Sequence, residues 1–159
     1  MAEASSFRLT EVKLEEHVPI RCTREMEHER EIALYDLLET NCFKPVGSKG
    51  GPYKLVLGIE ENRLIFDIRL LNGEAHGKLI LSLTPFRRII KDYFQVCDCY
   101  FKAIPNQPQS QIETLDMGRR GLHDEGAAIL QERLKDKIEL DFDTARRLFT
   151  LICVLHLKG

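Results

Sequence analysis

The sequence predicts a two-layer α+β fold, a mostly antiparallel sheet of four to five strands packed against helices, and three observations predict it. Between Tyr53 and Leu83 apolar residues recur at every second position in three successive runs joined by short polar turns, the pattern of an antiparallel meander. From Phe86 to Ile104 and from Asp143 to Leu157 they recur at steps of three and four, the period of a helix with an apolar face. The chain has 159 residues, 43% hydrophobic and 30% charged, which is the size and balance of one globular domain spanning residues 1–159.

The elements follow in order. Residues 1–6 (MAEASS) read as a frayed, disordered tail. Phe7 to Leu14 reads as a strand whose apolar phase slips between Phe7/Leu9 and Val12/Leu14, as at a bulge or a sheet edge. After Pro19 a helix is expected from an N-cap at Thr23, with Glu25 in its first turn. Its stripe is Met26, Ala33, Leu34, Leu37 and Leu38, and it stops near Asn41, a residue that tolerates left-handed backbone. Pro45 to Pro52 is loop.

The meander then runs Tyr53–Ile59, a turn at Glu60-Glu61-Asn62, Leu64–Leu70, a turn at Asn72-Gly73, and Leu79–Leu83. Thr84 is placed as an N-cap and Pro85 at the first helical position, where a missing N–H costs nothing. Ser110 to Glu113 has capping-box spacing and opens a short helix. Gly118, Gly121 and Gly126 then interrupt the helical pattern, so a helix-to-helix turn is expected around Met117–Gly126. Lys137 to Phe142 alternates as a short fourth or fifth strand. Asp143 caps a last helix that is apolar nearly all round and therefore buried.

Net charge is −2 and pI is near 6.2, which points away from nucleic acid, whose binders neutralise phosphates with a basic face. The opening residues lack the basic start and apolar run of a signal peptide, and no stretch approaches the ~20 apolar residues that span a bilayer. The expected location is cytoplasmic, with no membrane association. Five cysteines (Cys22, Cys42, Cys97, Cys99, Cys153) have no C-x-x-C spacing and read as reduced thiols.

The segments GGPYKLVLG, LSLTPFRRIIKDYF, DMGRRGLHDEG and DFDTARRLFTLICVLH, in this order, resemble an alphaproteobacterial uncharacterised protein family that carries a UPF label. The resemblance covers essentially the whole chain and implies a small cytosolic bacterial protein. It brings no established activity, so it assigns no site residue.

Candidate chemistry rests on three adjacent-arginine pairs: Arg87-Arg88, Arg119-Arg120 and Arg146-Arg147. Two of them follow a threonine (Thr84, Thr144) in the first turn of an expected helix, and the third lies in the glycine-broken Met117–Gly126 stretch beside His123. Guanidinium forks match phosphate and carboxylate, and an arginine at a helix start opposes the dipole unless an anion answers it. The competing reading pairs these arginines with Asp36, Asp92, Asp116, Asp124, Asp141 and Asp143. No metal site is expected, because no two of His17, His28, His76, His123 and His156 share i, i+4 spacing. No cofactor is expected either, since Ser48-Lys49-Gly50-Gly51 lacks the order of a phosphate-binding loop. The expectation is a binding or regulatory protein whose partner is another protein or a small anionic ligand. The alternative is an enzyme acting on a phosphorylated or carboxylated metabolite, with His123 as proton carrier.

Overall fold

The computed structural model of the protein describes residues 6–15 and 24–156. The expected tail before Ser6, the cap at Thr23, Cys22, His17 and the helix end at Leu157 lie outside the described residues. In chain order the elements are β1 (Leu9–Glu15), α1 (Arg24–Glu39), β2 (Phe43–Pro45), β3 (Tyr53–Glu60), β4 (Arg63–Leu70), β5 (Ala75–Ser82), a 3-10 turn (Thr84–Phe86), α2 (Arg87–Ala103), α3 (Gln109–Leu134), β6 (Ile138–Leu140) and α4 (Phe142–His156).

The main sheet has the order β1-β3-β4-β5. Its β3-β4-β5 part is the expected antiparallel meander. Glu61 and Asn62 both take positive φ, 49° and 63°, so β3 and β4 are joined by a tight two-residue turn matching the strand twist. In the next turn only Gly73 has positive φ, and Asn72 acts through its side chain, accepting the Glu74 N–H at 2.9 Å. β1 is an edge strand parallel to β3, with a register shift between Leu9 and Glu11 that accounts for the slipped apolar phase. Parallel pairing follows because α1 carries the chain back between the two strands.

Asn41 ends α1 by a different means from the one expected. Its Nδ2 donates to the Leu37 carbonyl at 2.8 Å and to the Leu9 carbonyl at 3.0 Å, while its Oδ1 accepts the Leu9 N–H at 2.7 Å. The amide thus satisfies a helix-end carbonyl and one exposed rung of the edge strand together, with no left-handed residue.

Four local expectations are corrected. Thr84 caps nothing with its side chain; its hydroxyl accepts from Asn62 Nδ2 at 3.2 Å, and Pro85 alone marks the turn. Ser110 sits inside α3, whose start is Gln109 after Pro108, so the capping box does not form. The Lys137–Phe142 alternation joins no large sheet. It pairs as β6 with β2, three residues read partly as loop, in a separate two-stranded ribbon. At the start of α4 Asp143 lies inside the first turn; Asp141, outside the helix, accepts the Ala145 N–H at its backbone carbonyl, and its carboxylate accepts from the Thr144 hydroxyl.

The largest correction is α3, one unbroken helix from Gln109 to Leu134 that runs through Gly118, Gly121 and Gly126. A glycine in a helix costs about 1 kcal/mol relative to alanine, and packing against α2 on one side and α4 on the other offsets it. Gly126 has a steric reason as well. A Cβ there would lie 2.5 Å from Cε1 of Phe149, so only glycine lets the two helices approach.

Helix α4 is the centre of the molecule, buried at Thr144, Ala145 and every position from Leu148 to Leu155. α1, α3 and β3 all pack against it. Leu55, Leu57, Leu64, Phe66 and Ile68 of the sheet share one hydrophobic cluster with Ile89, Ile90 and Tyr93 of α2 and with α4. No described helix is long and apolar enough to cross a membrane.

Candidate functional site

Helix periodicity assembles the site. On α1, Glu29, Ile32, Ala33 and Asp36 fall at steps of three and four and share one face. On α3 the same holds for Arg119, Arg120 and His123, and on α4 for Arg146, Arg147 and Thr150. Because α1 and α3 both lie against α4, these three faces meet around one cleft of about 280 Å³.

Two of the three arginine pairs converge there together with His123, and the third does not. Arg87 donates from Nε to Asn62 Oδ1 at 2.9 Å, at the junction of the meander and α2. Arg88 binds Asp92 at 3.0 Å and Glu125 at 2.5 Å, an exposed tie between α2 and α3. The pairing with acidic side chains is therefore the right reading for Arg88. Arg146 and Arg147 stand in the second turn of α4, since that helix starts at Phe142, and so they present guanidinium groups without help from the first-turn N–H groups.

Arg119 is the structural arginine of the cleft. Nη1 reaches Glu29 Oε1 of α1 at 2.7 Å, while Nη2 and Nε reach Asp116 Oδ1 at 2.8 and 3.2 Å. Its guanidinium also lies 5.0 Å from the centre of the Tyr100 ring. Burial works against its charge, and the Asp116 hydrogen bonds with the Glu29 charge overcome that, holding its pKa above the ordinary arginine value. Asp116 is held below the ordinary carboxylate range: burial opposes this, and Arg119 and Arg120 outweigh it. Arg120, largely exposed, makes a 2.8 Å pair with the second Asp116 oxygen.

Arg146 is held by Asp124 at 3.1 Å and Asp143 at 3.7 Å. Its buried Nε is close to the Asp124 oxygen yet lies off the N–H axis, so the contact is an ion pair without a hydrogen bond. The Arg147 side chain is half-buried, and its guanidinium has neither hydrogen bond nor ion pair among the described residues.

His123 forms the inner wall. Its Nε2 is 3.1 Å from both the Tyr93 hydroxyl and the Thr150 hydroxyl, and its ring lies against Tyr93 and edge-on to Phe149. Burial, then the charges of Arg119 and Arg146, push its pKa down to about 4, so the imidazole is neutral at pH 7. Behind it, burial raises the Tyr93 hydroxyl above its usual value and pushes the Cys97 thiol up to about 11. These groups form a neutral, hydrogen-bonded floor. Sequence reasoning missed Glu29 of α1, Tyr93 of α2 and Thr150 of α4, which read individually as ordinary core or surface residues, and named Asp36 only as a partner for the arginines. Among the described residues no group of three or more His, Cys, Asp or Glu is placed to hold a metal ion.

Similarity to known proteins agrees with the resemblance drawn from the four segments. The family described as Uncharacterised protein family (UPF0262) matches residues 6–158. A UPF0262 protein of Brucella canis is 56% identical over 159 residues, covering 99% of each chain. A UPF0262 protein of Allorhizobium ampelinum is 56% identical over 153 residues, 96% of this chain and 97% of its own. No solved structure matches the chain. With a family match over nearly its whole length and relatives this similar from end to end, the chain belongs to the UPF0262 family.

Proposed function

We propose that this is a cytoplasmic binding protein that takes a small anionic ligand in the cleft between α1, α3 and α4. The observation that carries the proposal is Arg147, a half-buried guanidinium with no acidic partner among the described residues, in a wall that already holds Arg119, Arg120 and Arg146. A partly desolvated charge is costly unless something answers it, and guanidinium is suited to carboxylate and phosphate. Small Ala33 and Thr150 leave room beneath the arginines, and neutral His123 adds a polar, uncharged contact.

Binding is favoured over catalysis by His123 itself. An imidazole with a pKa of about 4 is poorly matched to proton transfer at neutral pH, and among the described residues lining the cleft the one hydroxyl, Thr150, is also within reach of the Arg146 carbonyl of its own helix. The test is a thermal melt of the full chain with inorganic phosphate, sulfate, nucleotides, phosphorylated metabolites and small carboxylates with and without an amine. A ligand at 100 times its Kd stabilises by about 2.7 kcal/mol, which at roughly 2–4 °C per kcal/mol is a readable shift. The shift should fall to about half in Arg147→Gln, as a tenfold loss of affinity requires. A flat response of the unmodified protein to the whole set overturns the proposal.

A further inference from the structure

Taking the cleft as an anion site, the ionic groups of its wall can be sorted by whether the protein already answers them. Arg119 is answered by Glu29 and Asp116, Arg120 by Asp116, and Arg146 by Asp124 and Asp143. Glu29 is in turn consumed by Arg119. Two charged side chains remain without an ion-pair partner among the described residues: Arg147 on α4 and Asp36 on α1. Both are half-buried and line the same cleft, and no ion pair joins them.

We infer that the ligand is a small zwitterion, with a carboxylate or phosphate for Arg147 and a protonated amine for Asp36. Two opposite, unanswered charges on facing helices of one cleft are satisfied together by a single molecule that carries both signs. A simple polyanion would meet Arg147 and be repelled by the Asp36 carboxylate, and a simple amine would meet the reverse problem. Ile32 and Ala33 lie one turn before Asp36 on the same face of α1, an apolar strip against which a short carbon skeleton rests. The cleft, about 280 Å³, has the size for such a molecule and not for a polymer.

This inference rests on the anion-site reading, and matched ligand pairs separate the two. Titration calorimetry on the full chain compares γ-aminobutyrate with butyrate, L-glutamate with glutarate, and O-phosphoethanolamine with ethyl phosphate. The amine-bearing member of at least one pair should bind about tenfold tighter or better, the scale of one partly desolvated charge pair. Asp36→Asn should bring the two members of that pair to within about threefold by weakening the amine-bearing one. Arg147→Gln should weaken both members about tenfold. If the amine-free members bind as tightly as their partners and depend on Arg147, the zwitterion inference falls while the anion site stands. If no member of any pair binds, both fall. Asp36 has no ion-pair partner among the described residues, so Asp36→Asn should melt as the unmodified chain does; loss of amine preference only alongside a collapsed melt would count against the inference.

Discussion

At the scale of single residues, the side chains that matter most do two jobs at once. Asn41 closes α1 and pairs with both backbone groups of Leu9 on the edge strand, so removing it leaves part-buried donors and acceptors unmet. Asn41→Ala should lower stability by about 1–3 kcal/mol in urea denaturation, and Asn41→Gly should not restore it, because the conformation at this position needs no glycine. Arg119 likewise serves two elements, joining α3 to α1 through Glu29. Glu29→Gln keeps the shape but removes the charge facing a guanidinium that is only 17% exposed. It should cost on the order of 1–2 kcal/mol. A double-mutant cycle with Arg119→Gln reads the coupling directly, and a coupling near zero would mean the tie between α1 and α3 is only a surface contact.

At the scale of elements, α3 separates propensity from packing. Its glycines lie in one helix but in different surroundings. Nothing lies within 4 Å of a Cβ built on Gly121, whereas a Cβ on Gly126 would meet the Phe149 ring at 2.5–2.6 Å. Gly121→Ala should raise stability by up to ~1 kcal/mol through the helix preference alone. Gly126→Ala should lower it by about 1–3 kcal/mol, since the ring belongs to the buried centre of the molecule and has nowhere to move. Thermal melts of the two variants moving in the same direction would contradict this account of the helix.

At the scale of the whole molecule, burial of His123 makes stability depend on pH. Its folded pKa of about 4 is below the unfolded value near 6.5, so in acid the unfolded chain takes up the proton first. The contribution is complete above about pH 6.5 and is lost as pH falls toward 4, a change on the order of 1–3 kcal/mol. His156, lowered by burial and by Arg87, adds in the same direction. Denaturation curves at pH 7 and pH 4.5 should show this loss, and His123→Gln should make the difference between them smaller. An unchanged difference in the variant would mean the imidazole is not the group responsible. The same burial couples ligand to fold: a molecule bridging Asp36 and Arg147 would tie α1 to α4 and raise the melting temperature.

Local signals made most of the fold legible. The meander announced itself through period-two runs and tight polar turns, and α2 and α4 through their stripes, because these depend only on residues close in sequence. The continuity of α3, the ribbon of β2 with β6, and the capping of α1 by Asn41 were illegible, since each is decided by a partner distant in the chain. The site divides in the same way. Three arginine pairs and His123 stood out by composition and local oddity, whereas which pairs converge depended on how helices far apart in sequence lie against α4. The sequence by itself placed Arg87-Arg88 and Arg146-Arg147 on helices and left Arg119-Arg120 in an expected turn. Only the tertiary structure decided that Arg119, Arg120, Arg146 and Arg147 share a cleft with Asp36, because helix packing, unlike helix periodicity, is a property of surfaces the chain brings together from a distance.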